Sequence, residues 1–397
     1  MAEWIECSIG DLCSTISDTY KGNDEYVVLV NTSDVLEGKV LNHETVANKN
    51  LKGQFKKTFK RDDILYSEIR PANKRFAYID FENTSNYIAS TKLMVLRHNE
   101  KVLPEYLFAL LKSNYVIAEL QMLAETRSGT FPQITFSSEL APMKVFLPDK
   151  DTQIRIVSIL SSIEQKIDKN NEINNNLLEQ ALAIYKDWFC DYALSDGILP
   201  ENWKITTIDA ISSLVTRGIA PKYDDSSDQI VLNQKCIRDH TIDISLSRRH
   251  LPKKINEKWI SKGDLLINST GTGTLGRVAQ VWFEANNMTV DSHVTIVRPK
   301  DPILQSYIGF WGLSHESEIE AQHTGSTGQT ELPRDRVKAM ELPLPDEDTL
   351  SKFNELVIPM TSTVISNQEE NDRLSQLRDA LLPKLMSSEL DVSDIDL

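Results

Sequence analysis

The residues best suited to chemistry are placed in ways that argue against most catalytic sites. Gly271-Thr272-Gly273-Thr274-Leu275-Gly276 has the G-x-G-x-x-G spacing of a dinucleotide-binding turn. That turn works only when a strand leads into it and a helix opens from it, so that the helix N-terminus meets the pyrophosphate. Residues 277–283 (Arg-Val-Ala-Gln-Val-Trp-Phe) follow with a strand-like pattern and no helical period, which disfavours nucleotide binding. No G-x-x-x-x-G-K-[ST] phosphate loop is present, and neither is the Asn/Asp-Pro-Pro-aromatic run of an adenine methyltransferase. The seven histidines form no H-E-x-x-H pair; His293, in a strand-like run, reads as a packed or surface residue. Asp62, Asp63 and Glu68 are close in sequence, but Asp63 reads as the end of a turn before a strand. Cys7, Cys13, Cys190 and Cys236 include no C-x-x-C pair and read as reduced thiols. The expectation is a chain with no catalytic centre, no metal site and no cofactor of its own.

A different chemistry is better supported. Lys49, Lys52, Lys56, Lys57, Lys60 and Arg61 precede Asp63, and Arg248, Arg249, Lys253, Lys254, Lys258 and Lys262 precede Asp264. Clusters of this kind neutralise phosphates. Two polar loops also recur, Arg127-Ser128-Gly129-Thr130-Phe131-Pro132-Gln133 and Thr324-Gly325-Ser326-Thr327-Gly328-Gln329-Thr330. Their Arg, Ser, Thr and Gln side chains suit base edges and phosphate oxygens. Arg70, Asn73, Lys74 and Arg75, and the partly matching Asn268, Ser269, Thr270, Thr272 and Arg277, complete a candidate DNA-binding set.

The elements that carry these residues are duplicated. Trp4 recurs as Trp203, Asp63-Ile64-Leu65 as Asp264-Leu265-Leu266, and Leu93-Met94-Val95-Leu96-Arg97 as Val294-Thr295-Ile296-Val297-Arg298. Tyr106 falls on Tyr307, Gly129 and Gln133 on Gly325 and Gln329, and Leu147-Pro148-Asp149 on Leu344-Pro345-Asp346. Each copy mixes short β runs with turns and a few helical stretches, then ends in a heptad segment. The first seam reads Ile156, Leu160, Ile163, Ile167, Asn170, Asn174, Leu177, Ala181, Ile184, Trp188. The second reads Phe353, Val357, Met360, Val364, Asn367, Asn371, Leu374, Arg378, Leu381, Leu385. Alternating spacings of four and three are those of a coiled-coil seam, and asparagines within one fix register because each amide needs a partner. The expected fold is α+β: two similar globular domains (residues 1–150 and 195–345) separated by two long antiparallel helices (151–194 and 346–388), with an acidic tail over 389–397. The first helix should cover residues 151–191, about 60 Å at roughly 1.5 Å per residue, and Pro359 should kink or break the second.

Composition is compatible with this reading. The 397 residues are 25% charged and 40% hydrophobic. They contain neither an apolar run of the roughly 18 residues that a membrane span needs nor a basic-then-apolar leader. The expectation is a soluble, cytoplasmic protein. The net charge of −15 opposes binding to a polyanion, but residues 1–150 hold 18 basic and 20 acidic side chains, and residues 201–345 hold 17 and 18. The acid excess sits in the helical segments, so each large block is free to carry a basic face.

The combination resembles the specificity subunit of type I restriction–modification systems. The residues that carry the resemblance are the two starts near Trp4 and Trp203, the stretch Gly263-Asp264-Leu265-Leu266 with Leu275-Gly276-Arg277-Val278-Ala279, and Leu147-Pro148 leading through Gln153-Ile154-Arg155-Ile156-Val157 to Tyr185-Lys186-Asp187-Trp188-Phe189. The resemblance implies two target recognition domains, each reading one half of a split double-stranded DNA site, with the helices setting the unread gap. It also implies partners: two modification subunits that bind S-adenosylmethionine and methylate adenine, and restriction subunits that use ATP and Mg. Leu350, standing where Gln153 stands in the first copy, departs from the pattern. A protein-binding coiled-coil scaffold that does not read DNA is the alternative.

Overall fold

The computed structural model describes residues 4–49, 53–126, 132–251, 255–271, 273–325, 330–392 and 395. It is a mixed helix-and-strand fold that divides into two compact units. One is built from residues 1–167 and 372–397, the other from 168–371. Both divisions fall inside long helices, Lys150–Phe189 and Glu347–Met386, so each unit contains part of each helix.

The two units repeat one strand plan. In the first, Trp4–Ser8 pairs antiparallel with Lys144–Pro148, the strand that leads into the long helix. An antiparallel sheet runs Cys13–Ile16, Leu93–His98, Ile64–Ser67, Phe76–Tyr78, and a mixed sheet runs Thr45–Ala47, Tyr26–Val30, Tyr87–Ser90, Phe55–Lys57 with a parallel pair at its centre. In the second unit Lys204–Thr207 pairs with Glu341–Leu344. The antiparallel sheet is Ser212–Arg217, Val294–Pro299, Leu265–Asn268, Val278–Gln280, and the mixed sheet is Arg248–Arg249, Ile230–Leu232, Met288–Val290. Every residue of the two central strands is buried, polar Ser67 and Asn268 included, because both of their faces are covered.

One charge pair is repeated within these sheets. Asp63 and Asp264, 0% and 1% exposed, precede the central strand in each copy. Each accepts a bidentate guanidinium from the far end of the neighbouring strand. Arg97 donates to Asp63 through Nε and Nη2, both at 2.7 Å, and Arg298 donates to Asp264 at 2.8 and 2.7 Å. The same carboxylates cap the turn ahead of the strand, accepting the Lys60 and Ser261 main-chain N–H groups at 2.8 Å each. The fork geometry raises both arginines above their ordinary range, whereas burial raises Asp264 despite its partner.

Each long helix begins on an aspartate N-cap. Asp149 accepts the Thr152 N–H at 2.8 Å, and Asp346 accepts that of Thr349 at 3.0 Å. Asp346 also accepts Trp203 Nε1 at 3.0 Å and Asn202 Nδ2 at 3.2 Å, and these bonds to its charged form hold its pKa down at about 2. Within the second unit Asn170 donates to Asn371 (2.9 Å) and Asn367 to Asn174 (2.8 Å). A step forward on one helix is matched by a step back on the other, as antiparallel packing requires. In the first unit Ile156 and Leu160 share a core with Leu382 and Leu385 in the same sense.

Of the two outcomes expected at Pro359, a break does not occur: Glu347–Met386 is one continuous helix. Pro359 and Glu355, whose carbonyl the missing N–H would have met, both lie on the exposed face, where water serves that carbonyl. Phe353, Val357 and Val364 hold the opposite face in the core. The Gln153-to-Leu350 difference is also accounted for. Gln153 is 1% exposed, accepts the Leu103 N–H at 2.9 Å and donates to Pro148 O at 2.9 Å. Leu350 packs in an apolar cluster instead, and one turn later Asn354 donates to Ile303 O at 2.9 Å.

Two tests follow from these contacts. Arg298→Met strands the buried Asp264 carboxylate and should lower stability to urea by about 3–5 kcal/mol, while Lys262→Met on the surface should leave it near wild type. Asp346 has its pKa lowered from 3.8 to about 2, so its contribution is complete above pH 3.8 and fades as the pH falls through about 2. Asp346→Asn, which keeps a capping oxygen, should flatten that part of the stability–pH curve.

Candidate nucleic-acid interface

The fold brings together loops that the sequence separates by about sixty residues, and does so in both copies. After the central strand Ile64–Ser67 the chain turns through Arg70 and Lys74, both in left-handed backbone (φ 47° and 51°), around the short turn Pro71–Asn73. The turn is tied to the second polar segment: Arg70 N donates to Pro132 O (3.1 Å), Ile134 N to Glu68 O (2.8 Å), and Ile69 bridges Gln133. In the second copy Leu332 N donates to Ser269 O (2.8 Å), and Thr270 bridges Glu331. In each unit the described residues at the C-terminal edge of the second polar segment are therefore tied to the exit of the central strand.

Several candidate cations already have partners. Arg75 donates to Ser33 O (2.9 Å) and Val35 O (3.3 Å), Lys74 lies 3.2 Å from Glu37, and Arg61 donates to Glu82 (2.7 Å). Arg249 donates to Ser227 O (2.7 Å) and Arg248 lies over the Tyr223 ring, 3.4 Å from its centroid. These contacts orient side chains whose outer faces still reach solvent. Lys49, Lys56, Lys60, Asn73 and Gln133 are exposed; Thr270 and Arg277 are half-buried. Lys60 and Arg61 stand at the entry of the central strand, the polar loop at its exit, with four strand residues (about 13 Å at roughly 3.3 Å each) between.

Four expected contacts need correction, among them Ser269, which is 0% exposed with its hydroxyl 2.6 Å from Thr295 Oγ1. Asn268 is fully buried and donates to Gln234 O at 3.1 Å, so it is a core residue and does not face a ligand. Lys57 turns inward to Leu93 O at 2.7 Å, and burial lowers its pKa. Lys258, at the matching place, turns inward to Gly218 O at 3.0 Å. Lys57 links two strands, and Lys258 links the short turn Asn256–Lys258 to the residue that follows Ser212–Arg217. Lys52, Arg127, Ser128, Thr130, Lys253, Lys254, Thr272, Ser326, Thr327 and Gln329 lie outside the described residues.

The glycine-rich stretch does not open a helix. Its described residues form a turn, Gly271, Gly273 and Gly276 have positive φ, and Val278–Gln280 follows as a strand. Among the described residues no three His, Cys, Asp or Glu side chains are grouped to hold a metal, and no helix is long and apolar enough to cross a membrane.

Sequence reading missed one polar cluster beside each loop. Lys92 lies 3.4 Å from Glu68 in the first copy. In the second, Thr270 Oγ1 lies 2.8 Å from His293 Nδ1, and Gln234 Nε2 donates to Thr270 O (2.8 Å) and to Thr270 Oγ1. A signal was present, since Lys92 and His293 both directly precede the duplicated strand.

Residues 1–179 match the family model described as the type I restriction modification DNA specificity domain. Over 98% of its length the chain is 30% identical to the whole of the type I restriction enzyme HindI specificity subunit of Haemophilus influenzae. The chain belongs to the type I restriction–modification specificity subunits. This specificity subunit is also 24% identical to the MjaIX specificity subunit of Methanocaldococcus jannaschii over 74% of this chain and 71% of that one. The crystal structure of a type I restriction–modification S subunit from M. genitalium shares the fold, with a TM-score of 0.57 at 14% identity, covering 97% of this chain and 96% of that one.

If the exposed lysines bind phosphate, Lys49→Ala, Lys56→Ala and Lys60→Ala combined should weaken duplex binding equally for all sequences. The slope of log affinity against log salt should fall by roughly 0.9 for each phosphate no longer neutralised.

Proposed function

We propose that this specificity subunit reads a bipartite, asymmetric DNA site, one half with each unit, and directs adenine methylation and restriction carried out by partner subunits. The observation that carries the proposal is the duplication itself. Two units share one strand plan, and each ties the edge of a sequence-distant polar segment to the exit of its central strand. A split site needs two readers of similar build and different surface, and the loop residues differ between copies while the strands agree. Phosphate contacts by the exposed lysines would position the duplex, and the loops would supply sequence discrimination. The long helices are the ruler in this reading, and the amide pairs Asn170–Asn371 and Asn174–Asn367 fix its register. S-adenosylmethionine, ATP and Mg belong to the modification and restriction subunits in this scheme.

The test is a methylation map of a methylation-free host expressing the chain with its neighbouring modification subunit. A two-part motif with a fixed gap, present only when this chain is included, is expected. Four residues inserted after Asn170 should change the gap or abolish methylation without altering either half-site preference. Methylation that does not depend on the chain would leave a protein-binding scaffold as the better account.

A further inference from the structure

We propose that Lys92 and His293 are equivalent base-reading positions, one in each unit, each presenting an N–H donor to an acceptor on a base edge; this rests on the DNA-reading function above. The two residues hold the same structural place. Each is exposed, and each directly precedes the strand that carries the arginine paired with the buried aspartate, Leu93–His98 or Val294–Pro299. Each is also held by a side chain of the loop that leaves the central strand: Glu68 at 3.4 Å for Lys92, Thr270 at 2.8 Å for His293. The main chain is fixed there as well. Glu68 N donates to Lys92 O at 3.0 Å, and Ser269 N to His293 O at 2.7 Å.

The hydrogen bonds around His293 determine what it offers. The Thr270 carbonyl can only accept, so the Gln234 atom 2.8 Å from it is the amide nitrogen. That same nitrogen donates to Thr270 Oγ1, leaving the hydroxyl proton for His293 Nδ1 at 2.8 Å. We assign Nδ1 as the acceptor of that proton, which puts the ring proton on Nε2. The His293 main-chain N–H donates to Asp291 Oδ1 at 2.9 Å, which fixes the base of the side chain. The exposed edge of the ring is then an oriented N–H donor. Its complement on duplex DNA is an acceptor such as purine N7, guanine O6 or thymine O4. Lys92 offers a charged donor steered by one carboxylate, suited to guanine O6 and N7. Two different donors in one structural place give two similar units different preferences.

Methylation maps of His293→Ala, Thr270→Val and Lys92→Ala, each expressed with the modification subunit and set beside wild type, test this. His293→Ala should relax one base-pair position in one half of the motif, lowering discrimination there about tenfold or more, with the other half unchanged. Thr270→Val, which removes the hydroxyl that sets the tautomer, should relax that same position. Lys92→Ala should relax a position in the opposite half only. Retention of the intact half serves as the check that each variant folds. An unchanged motif, or a uniform loss of methylation with no relaxed position, overturns the proposal and leaves these side chains as phosphate or structural contacts. A wild-type map with no chain-dependent two-part motif would instead remove the DNA-reading function on which it rests.

Discussion

The buried carboxylate–guanidinium pair at the entry of each central strand is the constraint around which both units are organised. A lone carboxylate at 0% or 1% exposure would be driven to protonate or to unfold its surroundings. Asp63 and Asp264 avoid this by accepting two guanidinium bonds and one main-chain N–H each. The two guanidinium bonds cross from one strand to its neighbour and hold the pair in the observed register. Leu96 then lies opposite Ile64, and Val297 opposite Leu265. With the register set, the exit of the central strand is fixed as well, and the polar loops assemble there. The pair is far from those loops, yet their positions depend on it.

The apolar surroundings of the pairs have diverged while the pairs themselves have not. Where the long helices end in the second unit, Phe189 packs 5.0 Å from both Tyr307 and Phe353 and 5.7 Å from Trp203, centroid to centroid. The first unit keeps the matching Tyr106 in its core, with Trp4 packed against it, but has Ile156 where the second has Phe353, packed with Leu160, Leu382 and Leu385. Cores accept exchange of shape when total volume is kept, whereas a buried ion pair that loses one partner is strongly destabilised. The duplicated polar anchors are for that reason better preserved than the packing that encloses them.

Much of this was legible in the sequence because it is written in residue type and period. The duplication, the strand runs, the heptad asparagines and the aspartates ahead of strands and helices are local patterns. What escaped is set by partners far along the chain. Lys57 reads as one more surface lysine until Leu93 O is found 2.7 Å from it, and Asn268 reads as a polar loop residue until Gln234 closes over it. His293 acquires a defined donor face only through Thr270 and Gln234, which come from two other loops. Pro359 leaves its helix unbroken for a different reason: a helix tolerates proline where the freed carbonyl is on the exposed face and the far side is packed.

The junction between strand and helix has a mechanical consequence. Lys144–Pro148 passes into Lys150–Phe189, and Glu341–Leu344 into Glu347–Met386, with only one or two residues intervening, the last a capping aspartate. Each helix is therefore clamped at its start with no slack, like a beam built into a wall. A twist applied anywhere along it is delivered to the ribbon at its root and not absorbed by a flexible joint. At the other end of the first helix fourteen residues separate Phe189 from the strand that begins at Lys204, and that end is held through side-chain packing, with Trp203 5.7 Å from Phe189, in place of a direct strand junction.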